Sequence, residues 1–365
     1  MARKLSRQQE NRINANKLRA VEEFENSGGD LEKGLVICRY GRQADLEDET
    51  GQVVRCSIRK TVISVVSGDA VLWRRQTATD GVCGVIEAVM ERRSELLRPD
   101  FYDGLKPVAA NIDLVTVVAS VLPEFSTNII DRYLISCSSA KVSAVIVVNK
   151  ADLMDEQTAE NVGRAMEIYR SLGYEFFLTS TVTGAGIAEL RARTENLSMI
   201  LAGQSGVGKS SLLNALLEKD HAATCSISEN SGLGQHTTTC TRLYHTGCGG
   251  MILDSPGVRE FGLWHLAAQT IVGGYREFGP YLGTCRFKDC QHLEETGCGI
   301  KEAVKSGAVS SIRYENYVKI RSTLDLQEKR NRTRRANTQR HRNYGTATRR
   351  EKMRPEELDE SDWGQ

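Results

Sequence analysis

The stretch MILAGQSGVGKSSLLNALL, residues 199–217, decides the fold. Met199–Ala202 is a short apolar run that reads as a buried strand, and Leu212, Leu213, Leu216 and Leu217 recur at helical spacing beyond it. Between them Gly203, Gly208, Lys209 and Ser210 fill the pattern G-x-x-x-x-G-K-[ST]. A strand before and an amphipathic helix after are the context that makes this pattern a phosphate loop. The glycines let backbone N–H groups along Gly203, Gln204, Ser205, Gly206, Val207, Gly208 and Ser211 face phosphates, helped by the positive end of the helix. Lys209 then reaches the β- and γ-phosphates, and the Ser210 hydroxyl is the Mg²⁺ ligand.

Two other strand ends fit the same site. GMILDSPG (250–257) ends a strand at Asp254, which can hold a Mg²⁺-bound water, and Gly257 can offer its N–H to a γ-phosphate. VIVVNKADL (145–153) is a strand opening into Asn149, Lys150, Ala151 and Asp152. Guanine presents two adjacent donors that one carboxylate accepts, whereas adenine would leave Asp152 unpaired, so the pattern predicts GTP and GDP as ligands. Ser180, after the next strand, is placed to support the base. The order is unusual, because this base-reading loop precedes the phosphate loop in the chain.

Between the phosphate loop and Asp254 lies SENSGLGQHTTTC (228–240), where Thr237 or Thr238 is expected to reach Mg²⁺ when the γ-phosphate is present. His236 beside them is either a solvated side chain or a group that orients water. Val258 follows DSPG, and an apolar side chain there cannot orient water, which predicts slow hydrolysis until a partner completes the site. Gly206 offers no side chain for a potassium site, and none is predicted.

Around this core the chain is modular. Its 365 residues exceed one small core, and 40% apolar and 26% charged residues suit a globular protein. The net charge of +1 conceals segregation: Arg3, Lys4, Arg7, Arg12, Lys17 and Arg19 crowd the first twenty residues, and KRNRTRRANTQRHRNYGTATRREK (329–352) precedes an acidic end. Such arms are either solvated tails or contacts to a polyanion. A helix is expected around NANKLRAVEEFEN in the first arm. No secretory leader or membrane-spanning run is visible, so a cytoplasmic protein without membrane contact is expected, in which clustered cysteines suggest metal.

GLVICRYG, QVVRCSIRK, AVLWRRQ and CGVIEAVM, between residues 34 and 98, are short strands separated by turns, and roughly five strands suit an oligonucleotide-binding (OB) type barrel. Arginines interleaved with Tyr40 and Trp73 there are an ordinary surface with a half-buried Trp or a nucleic-acid face. Residues 99–272 alternate strands and helices as a doubly wound α/β domain. In 273–328, CRFKDCQHLEETGC supplies Cys285, Cys290, His292 and Cys298, a closed set for one structural Zn²⁺. A helix over 301–328 follows, and 329–365 is tail. Cysteines 38, 56, 83, 137, 225, 240 and 248 show no metal spacing and are expected to be packing residues.

The order NKAD, GQSGVGKSS, GQHTTT, DSPG and then C-x4-C-x-H-x5-C resembles the RsgA family of circularly permuted, small-ribosomal-subunit-dependent GTPases, from about residue 34 to about 300. The resemblance implies an N-terminal barrel, a permuted GTPase domain and a C-terminal α-helical zinc-binding domain. It also implies a monomer that binds the small (30S) ribosomal subunit and its rRNA late in maturation, alongside assembly factors, with GTP hydrolysis stimulated by the subunit. His236 corresponds to the family's switch histidine, which favours a catalytic role for it with Lys209, Thr237 and Thr238. Gln235 departs from the basic residue often found there. Two other readings fit the motifs: a GTP-regulated RNA-binding scaffold with incidental turnover, and a GTPase acting on another RNA.

Overall fold

The computed structural model describes residues 15, 30–79, 81–99, 105–217, 240–255, 263, 266–324 and 326. The helix expected around NANKLRAVEEFEN, apart from helical Ala15, and the 329–365 tail lie outside the described residues, as do Gln235, His236, Thr237, Thr238, Gly257 and Val258. By compactness the chain divides into two units, 1–317 and 318–365.

Five strands form the barrel: β1 (Leu31–Tyr40), β2 (Gln43–Asp48), β3 (Val53–Ile58), β4 (Ala70–Thr79) and β5 (Val82–Val89). They pair in the order β1-β2-β3-β5-β4, with β3 and β5 parallel, and β4 returns to β1 to close the ring. Its core holds Val36, Leu46, Val54, Cys56, Val71, Ile86 and Trp73. Trp73 is fully buried, and its ring lies where side chains at Gly34 and Gly84 would stand; a Cβ on Gly84 would come within 2.6 Å of it. That corrects the half-buried Trp expected of an ordinary surface, because two glycines clear its place inside the barrel. Tyr40, 40% exposed with the Arg55 guanidinium over its ring at 5.3 Å, is the aromatic the surface retains.

The second half of the sheet contains β8 (Leu114–Ser120), β9 (Ser143–Asn149), β10 (Glu175–Leu178), β11 (Ser198–Ala202), β12 (Arg242–His245) and β13 (Met251–Asp254). They lie in the order β10-β9-β8-β11-β13-β12, all parallel except β12. The parallel strands β8, β9 and β11 are nearly continuous Val, Ile and Leu because helices cover both faces. Helices α1 (Thr127–Ala140), α2 (Glu156–Ser171) and α3 (Ile187–Arg193) connect them, and α4 (Lys209–Leu216) follows β11. The chain runs outward from β8 to β10, then returns to β11 and runs outward the other way. This reversal between β8 and β11 is the switch point where open α/β sheets bind ligands.

The two halves form one eleven-stranded sheet, joined where β1 pairs with β12 at the register Cys38↔Arg242. A β-bulge between Val36 and Cys38 lets β1 serve both sides. Val36 points into the barrel core, while Ile37 and Cys38 join Val115, Ile200, Leu243 and Leu253 in the core of the α/β half. A hairpin of β6 (Glu95–Pro99) and β7 (Leu105–Ala110) leads from one half to the other, so the boundary expected at 98/99 falls within β6. The turn Ser67-Gly68-Asp69 is the second joint. Gly68 has φ +89°, and a Cβ there would lie 2.3 Å from the Ala110 carbonyl oxygen. The Arg92 guanidinium donates to both oxygens of fully buried Asp69 at 2.7 and 2.8 Å, tying the turn down.

After β13 come α5 (Ala268–Gly273), a 3-10 turn at Arg276–Tyr281, α6 (Gly299–Lys305) and α7, over 311–324. Two helices therefore replace the single one expected over 301–328. Gly307, at φ +78°, ends α6 with its N–H donating to the Val304 carbonyl, the left-handed stop that glycine accepts without strain.

Candidate nucleotide site and metal centre

The phosphate loop leaves β11 at the switch point. Gly203 (φ +155°), Gly206 (+83°) and Gly208 (+92°) all adopt the glycine half of backbone space. A Cβ on Gly203 would lie 2.2 Å from the Val118 carbonyl oxygen of β8, and one on Gly208 would lie 2.4 Å from Asn149 Nδ2. These close approaches hold the loop against its neighbours and leave its outer rim free. Gln204, Ser205, Gly206, Ser210 and Ser211 are exposed, whereas Val207 is buried under the loop. Lys209 Nζ curls over the rim, donating to the carbonyls of Gly203 at 2.7 Å and Gln204 at 2.5 Å. Its ammonium therefore already sits at the mouth of the cradle, where phosphate oxygens would take over those contacts.

The base-reading loop is built into the same structure. Asn149, fully buried at the end of β9, donates from Nδ2 to the Val207 carbonyl at 3.1 Å and accepts from the Thr179 hydroxyl at 3.2 Å. Lys150, in the left-handed region at φ +62°, sends Nζ across to the carbonyls of Leu122 and Gly206, each at 2.6 Å. The Ala151 N–H donates to the Thr179 carbonyl. Asp152 is exposed at the loop mouth; a bound base is what would remove it from water. Its orientation is set by Ser180, whose hydroxyl donates to Oδ1 at 2.5 Å while accepting from the N–H groups of Val182 and Thr183. Ser180 thus acts by aiming the carboxylate.

The sequence had pointed to neither Thr179 nor the segment Ser120–Pro123, which the sheet order brings to the site. Leu122 supplies a carbonyl to Lys150, and Pro123 lies beside Gly206. The available signal was the position of this segment after β8, the strand flanking β11 at the switch point.

Asp254 ends β13, two strand positions across from the barrel joint. Its neighbour Ser255 is buried and accepts from the Thr241 hydroxyl at 2.8 Å, while the Thr241 carbonyl accepts from the Ser67 hydroxyl at 2.6 Å. One chain of hydrogen bonds therefore runs from the barrel turn to the residue after Asp254.

The second candidate site is the Cys285, Cys290, His292 and Cys298 group, whose ligand atoms all lie within 4.8 Å of one another. His292 Nδ1 is 3.4 Å from the sulfurs of both Cys285 and Cys298, which are 4.0 Å apart. Metal–sulfur bonds of about 2.3 Å in a tetrahedron put sulfurs roughly 3.8 Å apart, so the set fits a zinc-sized ion. His292 holds its backbone at φ +60°, and its carbonyl accepts from the Tyr314 hydroxyl at 3.0 Å. The Gly299 N–H donates to Cys285 Sγ at 3.3 Å, the kind of outer contact that stabilises a thiolate. Burial, with the neighbouring sulfurs, pushes the Cys290 thiol up to about 12, and burial lowers His292. Metal uptake must therefore displace protons from sulfur while finding the imidazole neutral.

A buried charge network fastens the segment carrying this group to the α/β half. Arg313, on α7 and 1% exposed, donates through Nε and an Nη to both oxygens of Glu277 at 2.7 and 3.1 Å, and through its other Nη to Asp131 on α1. Asp131, fully buried, also accepts from the Tyr169 hydroxyl at 2.6 Å and from Asn316 Nδ2 at 2.8 Å. Burial opposes the Arg313 charge, but Asp131 and Glu277 outweigh it and hold its pKa well above the ordinary value. The guanidinium also lies 4.5 Å from the centre of the Tyr275 ring, which stacks on Phe278.

Comparison with known proteins matches residues 89–264 to the family model described as RsgA GTPase. A protein of Histophilus somni (strain 2336) named small ribosomal subunit biogenesis GTPase RsgA is 48% identical over 334 residues, covering 88% of this chain and 95% of that one. A protein of the same name from Klebsiella pneumoniae (strain 342) is 49% identical over 334 residues with the same coverage. Among solved structures, YjeQ from Thermotoga maritima aligns at a TM-score of 0.64 and 35% identity, covering 80% of this chain and 98% of that one. YloQ, described as a circularly permuted GTPase, aligns at 0.64 and 26% identity, covering 83% and 98%.

Proposed function

Because this chain belongs to the RsgA GTPase family, we propose that it hydrolyses GTP to GDP and phosphate on the small (30S) ribosomal subunit, late in that subunit's maturation and under its stimulation. The observation that carries the reading is the brace between base loop and phosphate loop, Asn149 to Val207 and Lys150 to Gly206. It makes one site of two motifs separated in the chain, so a nucleotide gripped by its phosphates also has its base tested.

In this reading Asp152, aimed by Ser180, selects guanine. Gly203 to Ser211 wrap the phosphates with backbone N–H groups, and Lys209 neutralises the β- and γ-oxygens. Ser210 would hold Mg²⁺ and Asp254 one of its waters; the ion, when bound, would supply positive charge to offset that developing on the phosphates. Gly257, Thr237, Thr238 and His236 complete the γ-phosphate end, and His236 orients the attacking water. With Val258 unable to do so, the subunit supplies the rest. The Cys3His group takes one structural zinc ion and folds its segment. The barrel, the zinc-binding segment and the basic arms contact rRNA, chiefly through phosphates, and assembly factors share the same particle. The protein acts as a cytoplasmic monomer; among the described residues no helix is long and apolar enough to cross a membrane.

The test is GTP turnover by the protein alone, with small subunits and with large subunits, each at two salt concentrations. Stimulation by small subunits only, falling steeply with salt, is expected. Equal turnover in all three mixtures, with GTP binding intact, would overturn the subunit-triggered mechanism.

A further inference from the structure

Cys38 and Cys240 are separated by 202 residues, yet their sulfurs lie 3.2 Å apart. Both are free thiols. Cys38 sits on β1 at the register that joins the barrel to β12, and Cys240 lies two residues before β12 begins. Among the described residues no third ligand joins them; the metal-type cluster found is the Cys3His group elsewhere. Closing this gap to a disulfide needs about 1 Å of side-chain movement.

We propose that Cys38 and Cys240 form an oxidation site, which a peroxide converts into a reversible disulfide clamping the barrel to the α/β half. The chemistry divides between them by exposure. Cys240 is partly exposed, while Cys38 is 1% exposed. The Cys240 sulfur attacks one oxygen of the peroxide and gives up its proton. The O–O bond breaks, the departing oxygen takes up a proton, and Cys240 is left as a sulfenic acid. The Cys38 sulfur then attacks the Cys240 sulfur; the S–O bond breaks and hydroxide leaves with the Cys38 proton as water. Two thiols are oxidised by two electrons, and hydrogen peroxide is reduced to two waters, or an organic hydroperoxide to an alcohol and water. Its 1% exposure keeps Cys38 from meeting peroxide first, and its sulfur, 3.2 Å from that of Cys240, is the one within reach of the sulfenic acid.

The clamp sits beside the hydrogen-bonded chain Ser67–Thr241–Ser255, which ends next to Asp254. A covalent link at residue 240 therefore fixes the joint through which barrel and nucleotide site touch, and this consequence is independent of which partner the protein serves.

The experiment treats the purified full-length protein, supplied with zinc, with hydrogen peroxide, and maps its peptides by mass spectrometry without reduction. The expected result is one linked pair, Cys38 to Cys240, lighter by two hydrogens and restored by dithiothreitol. Hydrogen exchange over residues 241–255 should slow several-fold in the oxidised protein. In C38S, Cys240 should stop at a sulfenic acid that dimedone traps. Cys38 linked to Cys225 or another cysteine, or both thiols unmodified at a dose that oxidises the Cys3His group, would overturn the proposal. The unmutated protein alone decides this, so a variant that fails to fold leaves the test intact.

Discussion

Replacing Arg313 with Met should loosen the attachment of α7 to α1 by an amount the structure sets. The guanidinium sits between the Asp131 and Glu277 side chains, which are 0% and 6% exposed. Removing it leaves two carboxylates buried without their cation, a loss of about 3–5 kcal/mol when one member of such a group is deleted. Asp131 keeps Tyr169 and Asn316 as donors, which argues for the lower half of that range. At 1.4 kcal/mol per tenfold, about 3 kcal/mol lowers hydrogen-exchange protection in α1 and the Arg276–Tyr281 turn by roughly a hundredfold. Local exchange is the right assay because a chain of several modules does not unfold in two states. The triple variant D131N/E277Q/R313M removes every charge and should recover most of the loss. If R313M exchanged within threefold of the parent, the network would be decoration, and the reasoning from its burial would be wrong.

Three further outcomes follow from the sites. Asp152→Asn exchanges an acceptor for a donor opposite the 2-position of the base, so guanine affinity should fall about a hundredfold or more while xanthine nucleotides gain; nucleotide competition binding reads both. Removing metal with a chelator, or substituting Cys290→Ser, should release one zinc ion per chain and abolish exchange protection across 285–298, with GTP affinity preserved. Asp48 accepts from the Thr50 hydroxyl at 2.6 Å, from the N–H groups of Thr50 and Gln52, and from Arg75, and the Thr50 contact chiefly holds its pKa near about 2. Because the folded value lies below an unfolded value of about 3.9, its contribution is complete above pH 4 and is lost as pH falls toward 2. Trp73 fluorescence during acid unfolding should therefore lose part of its pH dependence in that window in Asp48→Asn.

The nucleotide and metal sites were legible because each is a local pattern with fixed spacing. A phosphate loop is made by eight consecutive residues, and the Cys3His group by fourteen. The chain order of the motifs was legible too, and the sheet explains it by setting β9 two strands from β11 despite their separation in sequence. What stayed hidden depends on partners far along the chain. Strand β2, QADLED, carries three acids and reads as a loop, yet Asp45 and Asp48 are held by Arg55 and Arg75 from other strands. The burial of Trp73 depends on glycines at 34 and 84, and the Asp131–Arg313 contact spans 182 residues. The stop at Gly307 was also missed, since a glycine inside a helical stretch ends it only where the backbone takes positive φ, here +78°.

The bulge that lets β1 serve two cores also sets a schedule for synthesis. A ribosome making this chain releases β1 early, with Ile37 and Cys38 already turned toward a core that does not yet exist. Their partners around β12 emerge some 202 residues later, which at about 5–20 residues per second is roughly 10–40 s. During that interval the nascent barrel presents an apolar seam and an unpaired strand edge. The permuted chain order thus gives each new copy of the protein a defined period in which this seam is open to contact with other chains.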